Sequence, residues 1–168
     1  MNVYIGTYAK YNAGSLYGKW LTAEDFDSKE EFLTEAVSIH KDERDPELMF
    51  QDFEDIPSSL IGESWISENL WRLIEVGEHE KESFMLFVEN MGYDLDDFDK
   101  VYEDFQESYA GNWNENCSDP RLNFAENLFD EVYEVPENIQ PYIDYEKFSN
   151  DLFLTDYWEV DGHVFRNL

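Results

Sequence analysis

Positive charge is the scarcest property of this sequence. Its 168 residues include 11 Lys and Arg against 40 Asp and Glu, a formal net charge of −29. Neutralising phosphates requires Lys and Arg, so non-specific binding to a nucleic-acid backbone is excluded. Anionic membrane surfaces are excluded for the same reason. Cysteine is nearly absent too. The single Cys117 cannot form an intrachain disulfide, reads as an incidental thiol in a polar loop, and points to a reducing compartment. No apolar run approaches the roughly 18 residues of a membrane-spanning helix. The opening residues from Met1 to Tyr8 show no basic segment leading into an apolar run, so no signal peptide is expected. A cytoplasmic location is the expectation.

What the chain does hold is aromatic bulk. Phe, Tyr and Trp make up 17% of it and hydrophobic residues 42%. Charge alone would argue for disorder, because highly charged chains usually lack the apolar surface to offset ordering entropy. The aromatics supply that surface, so the chain should fold. Excess acid still destabilises a compact state by self-repulsion. Halophily, or simple solubility, would explain it with carboxylates scattered over an ordinary core. Patterning distinguishes these from a directed use of charge.

The pattern is that of an α+β chain. Residues 2–8 and 15–21 are β-branched and aromatic, and Asn12-Ala13-Gly14 between them reads as a hairpin turn. Ser28-Lys29-Glu30-Glu31 is a capping box, followed by Phe32, Leu33, Ala36, Val37 and His40 at helical spacing. Glu47 to Glu54 reads as a strand closed by Pro57. Three short helices come next. The first spans Ser64–Val76, with Ile66, Leu70, Leu73 and Ile74 inward and Gly77 as its cap; the second spans His79–Met91 and ends at Gly92; the third runs from about Leu95 to Tyr109. Residues 110–116 form a polar loop, the best candidate linker. Asp119-Pro120 opens a helix with Leu122, Ala125, Leu128, Phe129 and Val132 inward. A short helix is expected from about Tyr142 to Leu152, and Asp161-Gly162 between Phe153–Val160 and His163–Arg166 is a type I′ hairpin signal. The expected organisation is an elongated chain of three small subdomains. These are an N-terminal antiparallel sheet plus helix over 1–61, a central helical cluster over 62–110 and a C-terminal α+β unit with a hairpin over 111–168.

The third helix carries an aromatic stripe, Phe98, Tyr102, Phe105 and Tyr109, opposite an acidic one, Asp96, Asp99, Glu103 and Glu107. Like charges at i,i+4 each cost about 0.2–0.5 kcal/mol where a Lys would gain as much. A solvated face usually mixes signs; here only Lys100 interrupts. Carboxylates four residues apart lie about 6 Å apart along a helix, comparable to phosphates on one DNA strand. At a duplex's one charge per about 1.7 Å, 40 carboxylates would cover about 68 Å and a net 29 about 49 Å. A compact chain of this length is only about 40 Å across. Acid laid out like a duplex therefore implies an elongated molecule, and two copies end to end would match roughly 30–40 base pairs. Asp94, Asp97, Asp104, Glu126, Asp130 and Glu134 join the stripe as candidate phosphate-like carboxylates.

Signals for chemistry are weak. There is no Gly-rich phosphate loop, nucleophile elbow or His-Glu-x-x-His. His40, His79 and His163 lie far apart in sequence and read as surface or packing residues, and one Cys cannot build a zinc site. Asp94-Leu-Asp96-Asp97-Phe-Asp99 lacks the Gly and terminal Glu of a calcium loop. Among 40 carboxylates, no glycosidase-like pair stands out. No enzymatic activity, cofactor or metal is expected.

The segment Val3-Tyr4-Ile5-Gly6-Thr7-Tyr8-Ala9-Lys10-Tyr11-Asn12-Ala13-Gly14-Ser15-Leu16-Tyr17-Gly18-Lys19-Trp20 resembles the opening of the ArdA antirestriction proteins. Glu47-Leu48-Met49-Phe50-Gln51-Asp52-Phe53-Glu54-Asp55-Ile56-Pro57 resembles that family's acidic antirestriction motif, with Phe53, Asp55 and Ile56 where the motif carries Tyr, Gly and Phe. Residues 135–145 and Gly162-His163-Val164-Phe165 are similar as well, while the helical middle matches least. The resemblance implies a protein of mobile genetic elements that occupies the DNA-binding groove of type I restriction–modification enzymes, on their specificity and methylation subunits. It also implies a curved rod of three subdomains and a two-fold homodimer imitating bent DNA. Leu48, Phe50 and Phe53 would then support either folding or the subunit contact. An acidic decoy or chaperone for basic nucleoid proteins shares the charge and is the alternative; a hydrolase built on a carboxylate pair is a third reading.

Overall fold

Three small antiparallel sheets and seven helices make up the described part of the computed structural model, residues 1–114 and 119–168. The mixed α+β class expected from the sequence is the class observed. Cys117 and the end of the expected linker loop lie outside the described residues. The chain falls into two compact units, residues 1–81 with 94–98, and residues 82–93 with 99–168.

In the first unit, strand β1 (Asn2–Thr7) lies between β2 (Lys19–Thr22) and β3 (Leu48–Glu54), both antiparallel to it. The β1–β2 pairing runs from Asn2 opposite Thr22 to Ile5 opposite Lys19. The expected hairpin is thus present, but its connection is longer than a turn. The Thr7 hydroxyl accepts the Lys10 N–H at 3.2 Å and caps a short helix α1 (Tyr8–Asn12), which delays β2 until Lys19. Gly14 then reverses the chain at φ +80°, a conformation that costs glycine little. Ser28 caps α2 (Lys29–Ile39) as its capping box requires, accepting the Glu31 N–H, while the Glu31 carboxylate accepts from the Asp27 N–H one residue ahead of the cap. Phe32 and Ala36 are buried, and Phe32 meets Phe26 and Trp71 edge-on at 5.4 and 5.6 Å.

Two expectations in this unit are corrected. Trp65–Ile66 does not begin a helix but forms β5, paired with β4 (Ile61–Gly62); helix α3 spans only Asn69–Glu75. The Ser67 N–H donates to the Leu60 carbonyl, which commits this stretch to a hairpin before helix can start. Gly77 does not cap α3 in a left-handed conformation. Its carbonyl accepts from the N–H groups of Glu80 and Lys81 and so opens α4 (Glu78–Met91).

The second unit is organised around a sheet of order β6 (Tyr109–Asn112), β8 (His163–Arg166), β7 (Tyr157–Val160). The first residues of the expected linker, 110–112, are therefore strand, tied to β8 from Tyr109 opposite Phe165 to Asn112 opposite His163. Polar composition suggested a loop; pairing decided otherwise, as tertiary context often does for β propensity. Gly92 (φ +67°) ends α4 as expected, with the Tyr93 N–H returning to the Val88 carbonyl at 3.0 Å. Asp161 (φ 49°) and Gly162 (φ 83°) form the expected type I′ turn between β7 and β8.

Aromatic rings fill this unit. Phe84 and Phe87 of α4, Phe105 of α5 (Phe98–Ser108) and Phe165 of β8 are all fully buried. Phe87 and Phe105 lie 5.8 and 6.5 Å from Phe165, and Trp158 stacks on it at 4.2 Å. Helix α6 (Pro120–Val132) is N-capped by Asp119, with proline in its first turn. It packs on α7 (Tyr145–Thr155), which starts three residues later and ends three later than expected because Asp144 is its cap. Phe124, not singled out in the sequence, is the buried ring of α6, whereas Val132, expected inward, is 60% exposed at the helix end. Removing the ring at the centre of this cluster, Phe165→Ala, is expected to destabilise the protein by about 3–5 kcal/mol in chemical denaturation.

Candidate functional site

On α5, the aromatic core dictates where acid can go. Val101, Phe105 and Ser108 are buried and Tyr102 half-buried, which leaves the other face of the helix to Asp99, Glu103 and Glu107, all exposed. Their four-residue spacing sets these carboxylates about 6 Å apart along the axis. Asp104 differs. It is half-buried, and one of its oxygens accepts the Tyr93 hydroxyl at 2.9 Å.

Glu126, Asp130 and Glu134 are exposed along and just beyond α6. Asp130 accepts a long bond, 3.4 Å, from the Tyr145 hydroxyl. Burial first, then the Asp130 charge, pushes the Tyr145 hydroxyl above the ordinary tyrosine range. In the first unit, Asp94, Asp96 and Asp97 are exposed on a single 3₁₀ turn, Leu95–Asp97. Asp94 caps that turn by accepting the Asp96 N–H at 3.1 Å. Leu95 is buried, and Phe98 is buried beneath the Arg72 guanidinium at 4.7 Å.

The acidic segment Glu47–Pro57 lies on β3 and its exit. Strict alternation would bury every second residue, yet Met49 and Phe50 are both buried. Both faces of the sheet are covered at this point: Met49 lies opposite buried Gly6 and Phe50 opposite buried Ile5. Just beyond them Tyr4 opposes Asp52, so Gln51 is an extra residue in a β-bulge. The bulge resets the pleat, leaving Asp52 and Glu54 exposed and Phe53 half-buried. Gln51's amide lies over Gly6, where a Cβ would approach it to 2.7 Å. Glu47 is exposed, while Leu48 and Pro57 are half-buried. Met49 and Phe50 thus serve the fold, and the carboxylates of the same segment face water.

One polar network escaped sequence reading. The Lys10 ammonium donates to Asp42 at 2.8 Å, to His40 Nδ1 at 3.0 Å, lies 3.3 Å from Glu43 and sits over the Tyr17 ring. Buried His40 donates its Nε2–H to the Ile5 carbonyl, which fixes Nδ1 as the acceptor for Lys10. The bond to Asp42 pushes Lys10 up from its ordinary range, and Lys10 in turn holds Asp42 down. Its members are about thirty residues apart in sequence, so no local spacing announces it. The other histidines also agree with a packing or surface role: His163 is buried between Tyr109 and Asn112, and His79 is exposed. Among the described residues, no group of His, Cys, Asp and Glu is arranged to hold a metal ion, and no helix is long and apolar enough to cross a membrane.

Tyr93 gives a pH test of the α5 geometry. Its bond to the Asp104 carboxylate, reinforced by partial burial, pushes the hydroxyl above the ordinary tyrosine value of about 10. A raised pKa in the folded state contributes stability that is complete below about pH 10 and disappears as pH rises through the raised value. Asp104→Asn is expected to return Tyr93 toward the ordinary range, read as an earlier phenolate absorbance in alkaline titration.

The antirestriction protein (ArdA) family matches residues 3–166, so the match spans the β1–β3 sheet, both acid-bearing helices and the β7–β8 hairpin. A comparison with curated proteins found no match. A chain aligned with a family over nearly its whole length is a member of it: this protein belongs to the ArdA antirestriction family.

Proposed function

We propose that the protein protects incoming DNA by acting as an acidic counterfeit of it, occupying the DNA-binding groove of type I restriction–modification enzymes in the cytoplasm. The observation that carries the reading is the exposed carboxylate row of α5, opposite a face locked by buried rings. Rigid helices hold such charges at fixed spacing, so a basic groove meets them without first ordering them. Asp94, Asp96, Asp97, Asp99, Glu103, Glu107, Glu126, Asp130 and Glu134 are the proposed stand-ins for phosphates, with Asp104 contributing less because it serves Tyr93. Asp52 and Glu54 extend the acid on β3, and a homodimer would double the acid offered.

The mechanism is occlusion rather than catalysis. Carboxylates take the places of phosphates against Lys and Arg of the specificity and methylation subunits. Phosphate contacts position a duplex while base edges specify it, and a mimic of the former alone acts without regard to the enzyme's recognition sequence. Attraction between opposite charges steers the encounter and is screened by salt.

The test is competition between this protein and unmodified duplex DNA for a purified type I enzyme. Single neutralisations on α5 are expected to weaken competition less than about threefold. The block Asp99→Asn, Glu103→Gln, Glu107→Gln is expected to weaken it about tenfold or more, with the deficit shrinking as salt rises. Competition that ignores ionic strength would overturn the mechanism. Binding to a basic nucleoid protein, with no protection of unmodified plasmid in a restricting host, would favour a decoy instead.

A further inference from the structure

The connection between α6 and α7 exposes apolar bulk beside carboxylates. Within eleven positions, Val132 (60%), Tyr133 (51%), Ile139 (47%) and Tyr142 (84%) are open to solvent. Tyr133 is partly spoken for, since its ring rests on Phe129 at 4.8 Å. Tyr142 is not; among the described residues its ring meets no other ring. The segment presenting it is a run of short turns. The Pro136 carbonyl accepts from Ile139 and Gln140, the Ile139 carbonyl from Tyr142, and the Gln140 carbonyl from Ile143. Pro136 and Pro141 restrict the backbone further. The ring is therefore presented on an ordered backbone, and ordering that segment adds little to the cost of binding.

Along the connection, residues 133–144, every charge is negative. Asp130 and Glu134 line a shallow cavity of about 540 Å³ with Tyr133 and Gln140, and Glu137 and Asp144 flank Tyr142 in sequence, all four acids exposed. An exposed aromatic ring amid carboxylates complements a cationic surface, above all one bearing arginine. A guanidinium can lie on the ring face while its N–H groups reach a carboxylate. Rings of this kind, surrounded by polar contacts that exclude water, are where binding energy concentrates in protein interfaces.

We infer that Tyr142 is a recognition anchor, an uncharged ring whose burial seats an arginine-bearing, nucleic-acid-binding groove against the α6–α7 connection. The inference rests on the proposed function and adds to it a term that phosphate mimicry lacks. Ring burial persists as salt rises, whereas screened charge does not.

Its test is the same competition against unmodified duplex for a purified type I enzyme, run over a rising salt series with the full-length protein. The variants are Tyr142→Ala, Tyr142→Gln, Tyr142→Phe and the acid block Glu126→Gln, Asp130→Asn, Glu134→Gln. Tyr142→Ala and Tyr142→Gln are expected to compete about tenfold less well than the unaltered protein, by the same factor at every salt concentration. Tyr142→Phe, which keeps the ring, should stay within about twofold, and the block's deficit should shrink with salt. Alanine and glutamine variants that compete as well as the unaltered protein, whose deficit fades with salt like that of the block, or that change the oligomeric state in size-exclusion chromatography with light scattering, which would assign the ring to a contact with a second copy, overturn the anchor and leave the functional reading standing. An unaltered protein that fails to displace DNA overturns that reading and the anchor with it.

Discussion

Repulsion among like charges is the constraint to which the rest of this structure answers. A net charge of −29 favours any state in which the carboxylates move apart, so the folded state needs a compensating interior with little polar demand. Aromatic rings meet that need. Each fully buried Phe contributes on the order of 1.5–3 kcal/mol by leaving water, and edge-on or offset ring pairs add about 0.5–1.5 kcal/mol. The second unit concentrates such pairs around Phe87, Phe105 and Phe165. On α5 the two demands fall on opposite faces of one helix. The rings that stabilise it are also what keeps its carboxylates at regular positions. The like-charge cost at i,i+4 is then a small term against a large one.

The few cations are placed in keeping with this. Lys10, Arg72, Arg121 and Arg166 each lie over an aromatic ring, Tyr17, Phe98, Phe153 and Tyr157 respectively. A cation over a ring face gains attraction from the quadrupole while its bulk covers apolar surface. Lys10 goes further and joins the α2–β3 loop to α1 through Asp42 and Glu43, with His40 between. In an acidic chain, a cation is most useful where it ties backbone segments together.

The parts of the fold that were legible are those in which one local rule decides. Ser28 with Glu31, Asp119 with Pro120, Gly92, and Asp161-Gly162 each have a backbone chemistry that only one local structure satisfies, and each forms that structure. The parts that were not legible depend on partners distant in sequence. Strand β6 reads as a polar loop until β8 pairs with it. The Trp65–Ile66 hairpin imitates a helix start because its aliphatic spacing runs on into α3. The Gln51 bulge leaves no compositional trace, although it decides which faces Asp52, Phe53 and Glu54 present. The acidic face of α5 was legible because helical periodicity suffices to describe it. That Asp104 and Asp94 also serve as hydrogen-bond acceptors for Tyr93 and the Asp96 N–H was not, since neither bond follows from periodicity.

A surface of this kind also differs in logic from an active site. Catalytic groups act as a unit, so losing one removes most of the effect. Charges facing a charged groove act nearly independently, each contributing a modest, screened increment. Such a surface is robust to single substitutions and indifferent to which partner sequence is read, and it offers little discrimination among basic grooves. Discrimination has to come from elsewhere. Contacts that depend on shape, such as an exposed ring on an ordered turn, can supply it, because a ring is rejected by a surface that cannot bury it even when the charges agree. An antirestriction protein that combined the two would take its speed and breadth from the carboxylates and its selectivity from a few apolar side chains set among them.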